Sequence, residues 1–404
     1  MRAPNTRSTE RLHWVYQPFE GARLVRAHAT KKVRPKPEYL TQELFGQTRL
    51  KLESGNDLGP IRVAYETYGK LSSARDNAIL VCHALTGDSH VSSHRVSGSK
   101  PGWWEGMVGR GCAIDTDRFF VVCTNVLGGC GGTTGPGSLN PKTGRRYGPT
   151  FPAVTVRDMV KVQREALSHL GVDRVLCVIG GSMGGMQALE WATLPGGDVL
   201  SAIVIAAPGR MRAQAIAYNE VQRQAIYRDP AWKGGWYRHG RGPSAGLSLA
   251  RMLGMITYQS EQSMDSRFKQ ATSVFCADST DCATEVRRYL HYQGEKLAER
   301  FDANTYLCLL KAIDLFDITR EGLSYAQVLA RIRCRMLVVG ISSDILYPPH
   351  QQRELVADLA AAGCDASYAE VQSILGHDAF LTETAKVGSI VRGFLDKLWS
   401  EVQQ

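Results

Sequence analysis

Residues 175–189 read Val-Leu-Cys-Val-Ile-Gly-Gly-Ser-Met-Gly-Gly-Met-Gln-Ala-Leu: an apolar run, a serine bracketed by glycines, then a helix-forming stretch. A strand that must become a helix within so few residues commits the chain to layers of both kinds. The residue types follow from the geometry. A serine at such a corner takes strained backbone angles, and side chains beside it would collide with the adjoining strand and helix, so glycine flanks it at Gly180 and Gly184. The corner also sets Ser182 at a helix N-terminus, where free N–H groups favour developing negative charge. The Met183 amide becomes a candidate oxyanion donor. The alternative reading is a glycine-rich turn that packs tightly or holds a phosphate.

Other short apolar runs recur around this one: Ala78–Cys82, Phe119–Cys123, Val175–Ile179 and Ala202–Ala206, then Met336–Val339 and Ala366–Val371. Runs of this length bounded by turn residues read as strands covered on both faces. At Ile61, Val63 and Tyr65 the apolar residues alternate with Arg62, Ala64 and Glu66, which predicts a half-buried strand. Between the runs, Met159, Val160, Gln163, Leu167 and Leu170 form a helical stripe. A closing helix places Val387, Ile390, Val391, Phe394, Leu395 and Leu398 on one face. Strands alternating with helices predict an α/β fold with a mainly parallel central sheet. From Met211 to Leu329 the strand signals vanish, and Ala213–Ile226, Gly246–Ile256 and Thr284–Asp317 read as helical. The predicted organisation is a flexible basic tail over 1–40, a core over 41–210 and 330–404, and an inserted helical lid over 211–329.

Composition narrows the function. The 404 residues hold 44% hydrophobic and 22% charged residues, enough to bury a large core. No apolar run reaches the roughly 20 residues of a membrane helix. The N-terminus lacks the apolar stretch of a secretory signal, so a cytoplasmic protein is expected; a transit peptide is the alternative for the basic start. The net charge of +9 owes much to Arg2, Arg7, Arg11 and the other basic residues of the tail. It also suits attraction of an anionic substrate, whereas no motif for nucleic acid is present. Ten cysteines without a C-x-x-C pair predict thiols in a reducing compartment, not a disulfide frame or a metal site. Cys82, Cys123, Cys177 and Cys308 lie in apolar runs, and Cys130 lies in a glycine-rich loop.

A serine hydroxyl needs a histidine to take its proton, and the histidine needs a carboxylate to fix its tautomer. After Ser182 the chain offers His239, His291, His350 and His377. His377 follows the last apolar run and precedes the final helix; Asp344 directly follows the run at 336–339, with Pro348-Pro349 stopping extension. The order serine, acid, histidine and the placement at strand ends are those of the α/β-hydrolase elbow enzymes. The competing readings are a loop histidine, a helix-capping aspartate, and His350 as the partner of Asp344. The second oxyanion donor is expected in the loop after Ala78–Cys82, at the Leu85 amide, with His83 structural.

Longer blocks carry a resemblance. Cys82-His-Ala-Leu-Thr-Gly, Gly102-Trp-Trp-Glu-Gly-Met-Val-Gly, Asn125-Val-Leu-Gly-Gly-Cys-Gly-Gly-Thr-Thr-Gly-Pro, Gly180-Gly-Ser-Met-Gly-Gly-Met-Gln-Ala, Asn219-Glu-x-x-Arg-Gln-Ala-Ile, Tyr289-Leu-x-Tyr-Gln-Gly-Glu-Lys, Arg300-Phe-Asp-Ala-Asn-Thr-Tyr and Gly376-His-Asp-Ala-Phe-Leu resemble the homoserine O-acyltransferase family, in order and from about residue 40 to 398. The resemblance implies an α/β-hydrolase core with a helical lid, a homodimer, and acyl transfer from coenzyme A to L-homoserine in methionine biosynthesis. It implies no permanently bound cofactor. It maps catalysis onto Ser182, Asp344 and His377, and substrate binding onto Arg251 and Asp378. Both are chemically apt, since Arg251 can grip a carboxylate bidentately and Asp378 can receive an ammonium. An exposed lid arginine and a helix-capping aspartate are the plainer readings. Thr86, Val126 and Thr133-Thr134 are similar to acetyl-transferring members more than to succinyl-transferring ones. Gly131 departs from the arginine common there, as do the Gly196-Gly197 turn and the basic tail. An esterase, a serine acyltransferase and a binding protein with an idle triad stay open as alternatives.

Overall fold

The computed structural model describes residues 39–93, 100–194, 199–238, 240–268, 285–319 and 322–404. Nearly all of the basic tail, the Gly196-Gly197 turn, His239, Cys276 and Cys282 lie outside the described residues. Eight strands form one sheet: β1 (Leu40–Leu44), β2 (Ile61–Tyr68), β3 (Ala78–Cys82), β4 (Phe120–Thr124), β5 (Cys177–Gly181), β6 (Ser201–Ile205), β7 (Arg335–Ile341) and β8 (Ala366–Val371). Their spatial order is β1-β2-β4-β3-β5-β6-β7-β8. The β1–β2 and β2–β4 pairs are antiparallel; every pair from β4 to β8 is parallel.

Alternation along the central strands builds two cores. Leu80, Val122, Val178, Val204 and Val338 face one layer, with α1 (Val156–His169) and α2 (Met183–Thr193). Ile79, Val121, Ile179, Ile203 and Val339 face the other, with the C-terminal helix. Period-two alternation in strands buried on both sides explains why the sequence shows continuous apolar runs there. Helix α1 starts at a capping box in which Thr155 and Asp158 exchange side-chain and backbone bonds.

The predicted runs differ from the strands by one or two residues at their ends, except Ala78–Cys82 and Ala366–Val371, which coincide. Two expectations need correction. The strand read as half-buried is covered over most of its second face as well: Arg62 is exposed as expected, but Ala64 and Glu66 are buried along with Ile61 and Val63. Glu66 tolerates this because the Tyr68 hydroxyl lies 2.8 Å and His90 Nδ1 3.0 Å from its Oε2. The helical stretch 284–317 is two helices, because Asp302 breaks the run and caps the second by accepting from Thr305 N at 2.9 Å. The sheet also gains β1, whose first residue, Leu40, is the last of the segment read as tail.

Between β6 and β7 lie α3 (Ala213–Tyr227), α4 (Ser244–Thr257), α5 (Glu261–Arg267), α6 (Glu285–Ala298), α7 (Ala303–Asp314) and α8 (Tyr325–Leu329). The two ends of this helical segment are fastened where Met211 N donates to Phe316 O at 3.0 Å. Helices α9 (Pro349–Ala361), α10 (Ala379–Thr382) and α11 (Thr384–Val402) complete the chain. Val387, Val391, Leu395 and Leu398 of α11 are buried against the sheet, as the stripe predicts.

Candidate active site

Ser182 sits between β5 and α2 with φ 58° and ψ −125°, a backbone conformation that costs a non-glycine residue on the order of 1–3 kcal/mol. Its neighbours explain the glycines. A Cβ on Gly184 would stand 2.1 Å from the Cys82 carbonyl oxygen, and one on Gly180 would stand 2.4 Å from Gly184 C. These contacts let α2 start directly against the end of β3. The Leu85 amide, in the loop after β3, and the Met183 amide, at the start of α2, donate to no protein acceptor among the described residues. That is the state an oxyanion pocket requires.

His377 and Asp344 meet. His377 Nδ1 lies 2.6 Å from Asp344 Oδ2, and both side chains are buried. The other carboxylate oxygen accepts from Leu346 N at 2.8 Å and Tyr347 N at 2.9 Å. Asp344 is therefore fixed by its own loop before it touches the imidazole. With Nδ1–H donating to the carboxylate, the unprotonated nitrogen is Nε2. Among the described residues Nε2 has no hydrogen-bond partner, so its bond to Ser182 is not formed in this structure. Bonds of this kind tighten when substrate docks. Phe380 links the two halves: its ring is 5.6 Å from the His377 ring, and a Cβ on Gly181 would stand 2.4 Å from it. Burial opposes protonation of His377, but the Asp344 charge and hydrogen bond, with Asp378, outweigh it and raise the imidazole above its ordinary 6.5.

The rival histidines separate from the site. His350 is exposed on the first turn of α9 and His291 is exposed on α6. His83 is buried and structural, as expected: its Nδ1 lies 2.7 Å from Ala84 O, and Nε2 accepts from Val126 N at 3.1 Å. Burial, first of all, lowers its pKa and keeps it neutral for both bonds. It thereby ties the Leu85 loop to the Val126 loop. Cys82, Cys123 and Cys177 are buried thiols, while Cys308 is half-buried and Cys130 exposed.

Arg251 of α4 is near enough for its charge to act on Asp378. Asp378 occupies the N-cap position of α10 but its side chain makes no capping bond, against the plainer reading. Burial pushes its carboxyl up and Asp344 adds to this, while Arg251, His377 and Arg267 pull the other way. Its amide donates to Tyr258 O at 3.0 Å, binding the histidine loop to the helical segment. Several neighbours escaped the sequence reading. The Tyr347 and Tyr258 rings lie 5.3 and 6.0 Å from the imidazole ring. The Arg267 guanidinium lies 4.8 Å from the centre of the Tyr289 ring, and Arg300 Nη1 donates to Thr86 O at 3.0 Å. Tyr289, Arg300 and Phe380 fall inside the blocks of the resemblance, which was the available signal. Tyr258 and Tyr347 carry none.

Sheet order, elbow and histidine–carboxylate pair are those of an enzyme of the alpha/beta-hydrolase type, and residues 77–384 match the alpha/beta hydrolase fold family. Closer likeness specifies the branch. The homoserine O-acetyltransferase of Symbiobacterium thermophilum is 51% identical over 376 residues, covering 91% of this chain and 98% of that one. That of Carboxydothermus hydrogenoformans is 49% identical over 85% of this chain and 92% of its own. Among solved structures, the homoserine O-acetyltransferase of Bacillus anthracis superposes with TM-score 0.83 at 29% identity, over 89% of this chain and 97% of that one. Esterase E22 does so with TM-score 0.81 at 29% identity, over 89% and 99%. The chain belongs to the homoserine O-acetyltransferase family.

Proposed function

We propose that this chain transfers an acetyl group from acetyl-CoA to the hydroxyl of L-homoserine, a step of methionine biosynthesis, through an acyl-Ser182 intermediate. The observation that carries this is the buried His377–Asp344 pair, its Nε2 without a partner among the described residues and its ring packed on Phe380, which also meets Gly181 of the elbow, in a chain of this family. His377 Nε2 takes the Ser182 proton as Oγ attacks the thioester carbonyl. The tetrahedral oxyanion accepts from the Leu85 and Met183 amides. Collapse expels the coenzyme A thiolate, which takes the proton back from His377. Homoserine then enters with its carboxylate on Arg251 and its ammonium on Asp378. Nε2 takes the proton of its hydroxyl as the oxygen attacks the acyl-serine, and collapse returns that proton to Ser182 Oγ. Acetyl-CoA is substrate here, and no resident cofactor enters any step. Free buried thiols suit the cytoplasm, and among the described residues no helix is long and apolar enough to cross a membrane.

Incubation with acetyl-CoA and succinyl-CoA in parallel, with homoserine or serine as acceptor, tests this reading. O-acetylhomoserine is expected as the main product; a faster succinyl reaction or a preference for serine would move the assignment to that substrate. The likeness to esterase E22 favours one second reading, hydrolysis, and free acid in excess of acyl ester would establish it. Ser182→Ala should lower turnover by roughly 10³-fold or more while the melting curve is kept.

A further inference from the structure

Two glutamines stand in the core between α1 and α2. Gln163 lies on the otherwise apolar stripe of α1, Gln187 lies on α2, and both are fully buried. A buried amide left unpaired is costly, whereas an apolar pair of similar volume carries no such penalty. Here the amides are paired, and their direction is fixed from one end. An indole only donates, and Trp191 Nε1 lies 2.8 Å from Gln163 Oε1. Gln163 Nε2 must therefore face α2, where it donates to Gln187 Oε1 at 2.7 Å and to Cys82 Sγ at 3.9 Å. That leaves Gln187 the two hydrogens of Nε2, and each goes to a backbone carbonyl: His83 O at 3.1 Å and Met183 O at 3.1 Å.

These carbonyls adjoin the two candidate oxyanion donors. His83 O belongs to the peptide just before the one that carries Leu85 N–H. Met183 O belongs to the peptide just after the one that carries Met183 N–H. The Leu85 peptide is also held from within its loop, where His83 Nδ1 lies 2.7 Å from Ala84 O and Gly87 N donates to the same oxygen at 3.0 Å. Those bonds shape the loop, and the Gln187 bridge ties it to α2. A reversed amide would turn its oxygen toward two carbonyl oxygens, so the bridge exists in one orientation only.

We propose that Gln187, directed by Gln163 and Trp191, holds the Leu85 and Met183 amides at the spacing that a single oxyanion requires. It touches no reacting atom and is a positioning residue. The inference rests on the reading of these amides as the oxyanion pocket of an acyl-Ser182 enzyme. Both half-reactions pass through a tetrahedral oxyanion in that pocket, so a change of spacing acts on both alike. This separates Gln187 from Arg251, whose assigned role concerns homoserine alone.

The test sets Gln187→Met, which keeps most of the volume and removes both donors, beside the wild-type chain and Ser182→Ala. Acetyl-CoA is mixed with each in the absence of homoserine, the reaction is quenched in acid, and intact mass follows acetylation of the chain. The extent counts competent chains, and the rate constant reads stabilisation of the oxyanion. Gln187→Met should reach the wild-type extent with a rate constant roughly ten- to hundredfold lower. Its kcat/KM for acetyl-CoA and for homoserine should fall by one common factor. An unchanged rate constant, a reduced extent at the wild-type rate constant, or a loss confined to one substrate would overturn the positioning role and leave the acyl-serine reading in place. If Gln187→Met does not fold, Gln163→Met repeats the measurement, since Gln187 then lacks the donor that directs it. A wild-type chain that gains no acetyl group, or a Ser182→Ala chain that gains it as fast, would overturn the acyl-serine reading and this inference with it.

Discussion

At the scale of single residues, the His377–Asp344 pair makes a prediction about pH. The base is neutral imidazole, so its active fraction falls as pH drops through its pKa. That pKa is raised, because the Asp344 charge and bond and the Asp378 charge exceed the effect of burial. The acid limb of kcat/KM for acetyl-CoA should therefore centre above 6.5, with a plateau at higher pH. Asp344→Asn removes the charge and leaves burial in control, so the limb should move down while the plateau falls on the order of 10³–10⁴-fold. A limb that stays in place would remove Asp344 from its role. Ser182, Asp344 and His377 were legible in the sequence because each sits in a short segment whose neighbours announce it: glycines, a strand end, a loop before a helix. Tyr258 was not legible. Its place beside the imidazole depends on how the end of α4 meets the histidine loop, through Asp378 N and Tyr258 O, and no local pattern encodes that meeting.

At the scale of elements, the elbow depends on the approach of α2 to β3. Gly184→Ala would drive a methyl group to 2.1 Å from the Cys82 carbonyl oxygen, a backbone atom held within the sheet. Either α2 or β3 must shift, at a cost of about 3 kcal/mol, and the shift moves the Met183 amide away from Leu85. The expected result is a lower denaturation midpoint together with a loss of activity greater than the loss of folded protein. A variant with unaltered stability and turnover would show that the corner has room to spare. The core strands could be read from their apolar runs because both faces are covered, but on β2 partial cover of the second face, past the exposed Arg62, misled the reading. There Glu66 is buried through partners as distant as His90, so a polar residue did not mark a solvent face. The break at Asp302 was hidden for a different reason. An aspartate three residues before Thr305 is a capping signal only once the preceding helix has ended.

At the scale of the whole molecule, the helical segment has an outward face that the interior does not use. Leu249 and Ile256 are 54% and 46% exposed and lie seven residues apart on α4, hence on one side of it. Val221, on α3, is 58% exposed. Apolar groups exposed on two helices that pack together offer a surface for association. The resemblance implied a homodimer, and this face supports the proposal that α3 and α4 form its contact. A closed twofold contact uses the same patch on both copies, so one substitution acts twice. Val221→Glu with Leu249→Glu sets like charges against each other across the contact and should convert a species of twice 44.4 kDa into a monomer in sedimentation equilibrium. Arg251 shares α4 with Leu249 and Ile256. Loosening the contact should therefore weaken the homoserine reaction more than the acetyl-CoA reaction. A double variant that stays dimeric would place the interface elsewhere, and a wild-type chain that sediments as a monomer would leave this apolar face without a partner of its own kind.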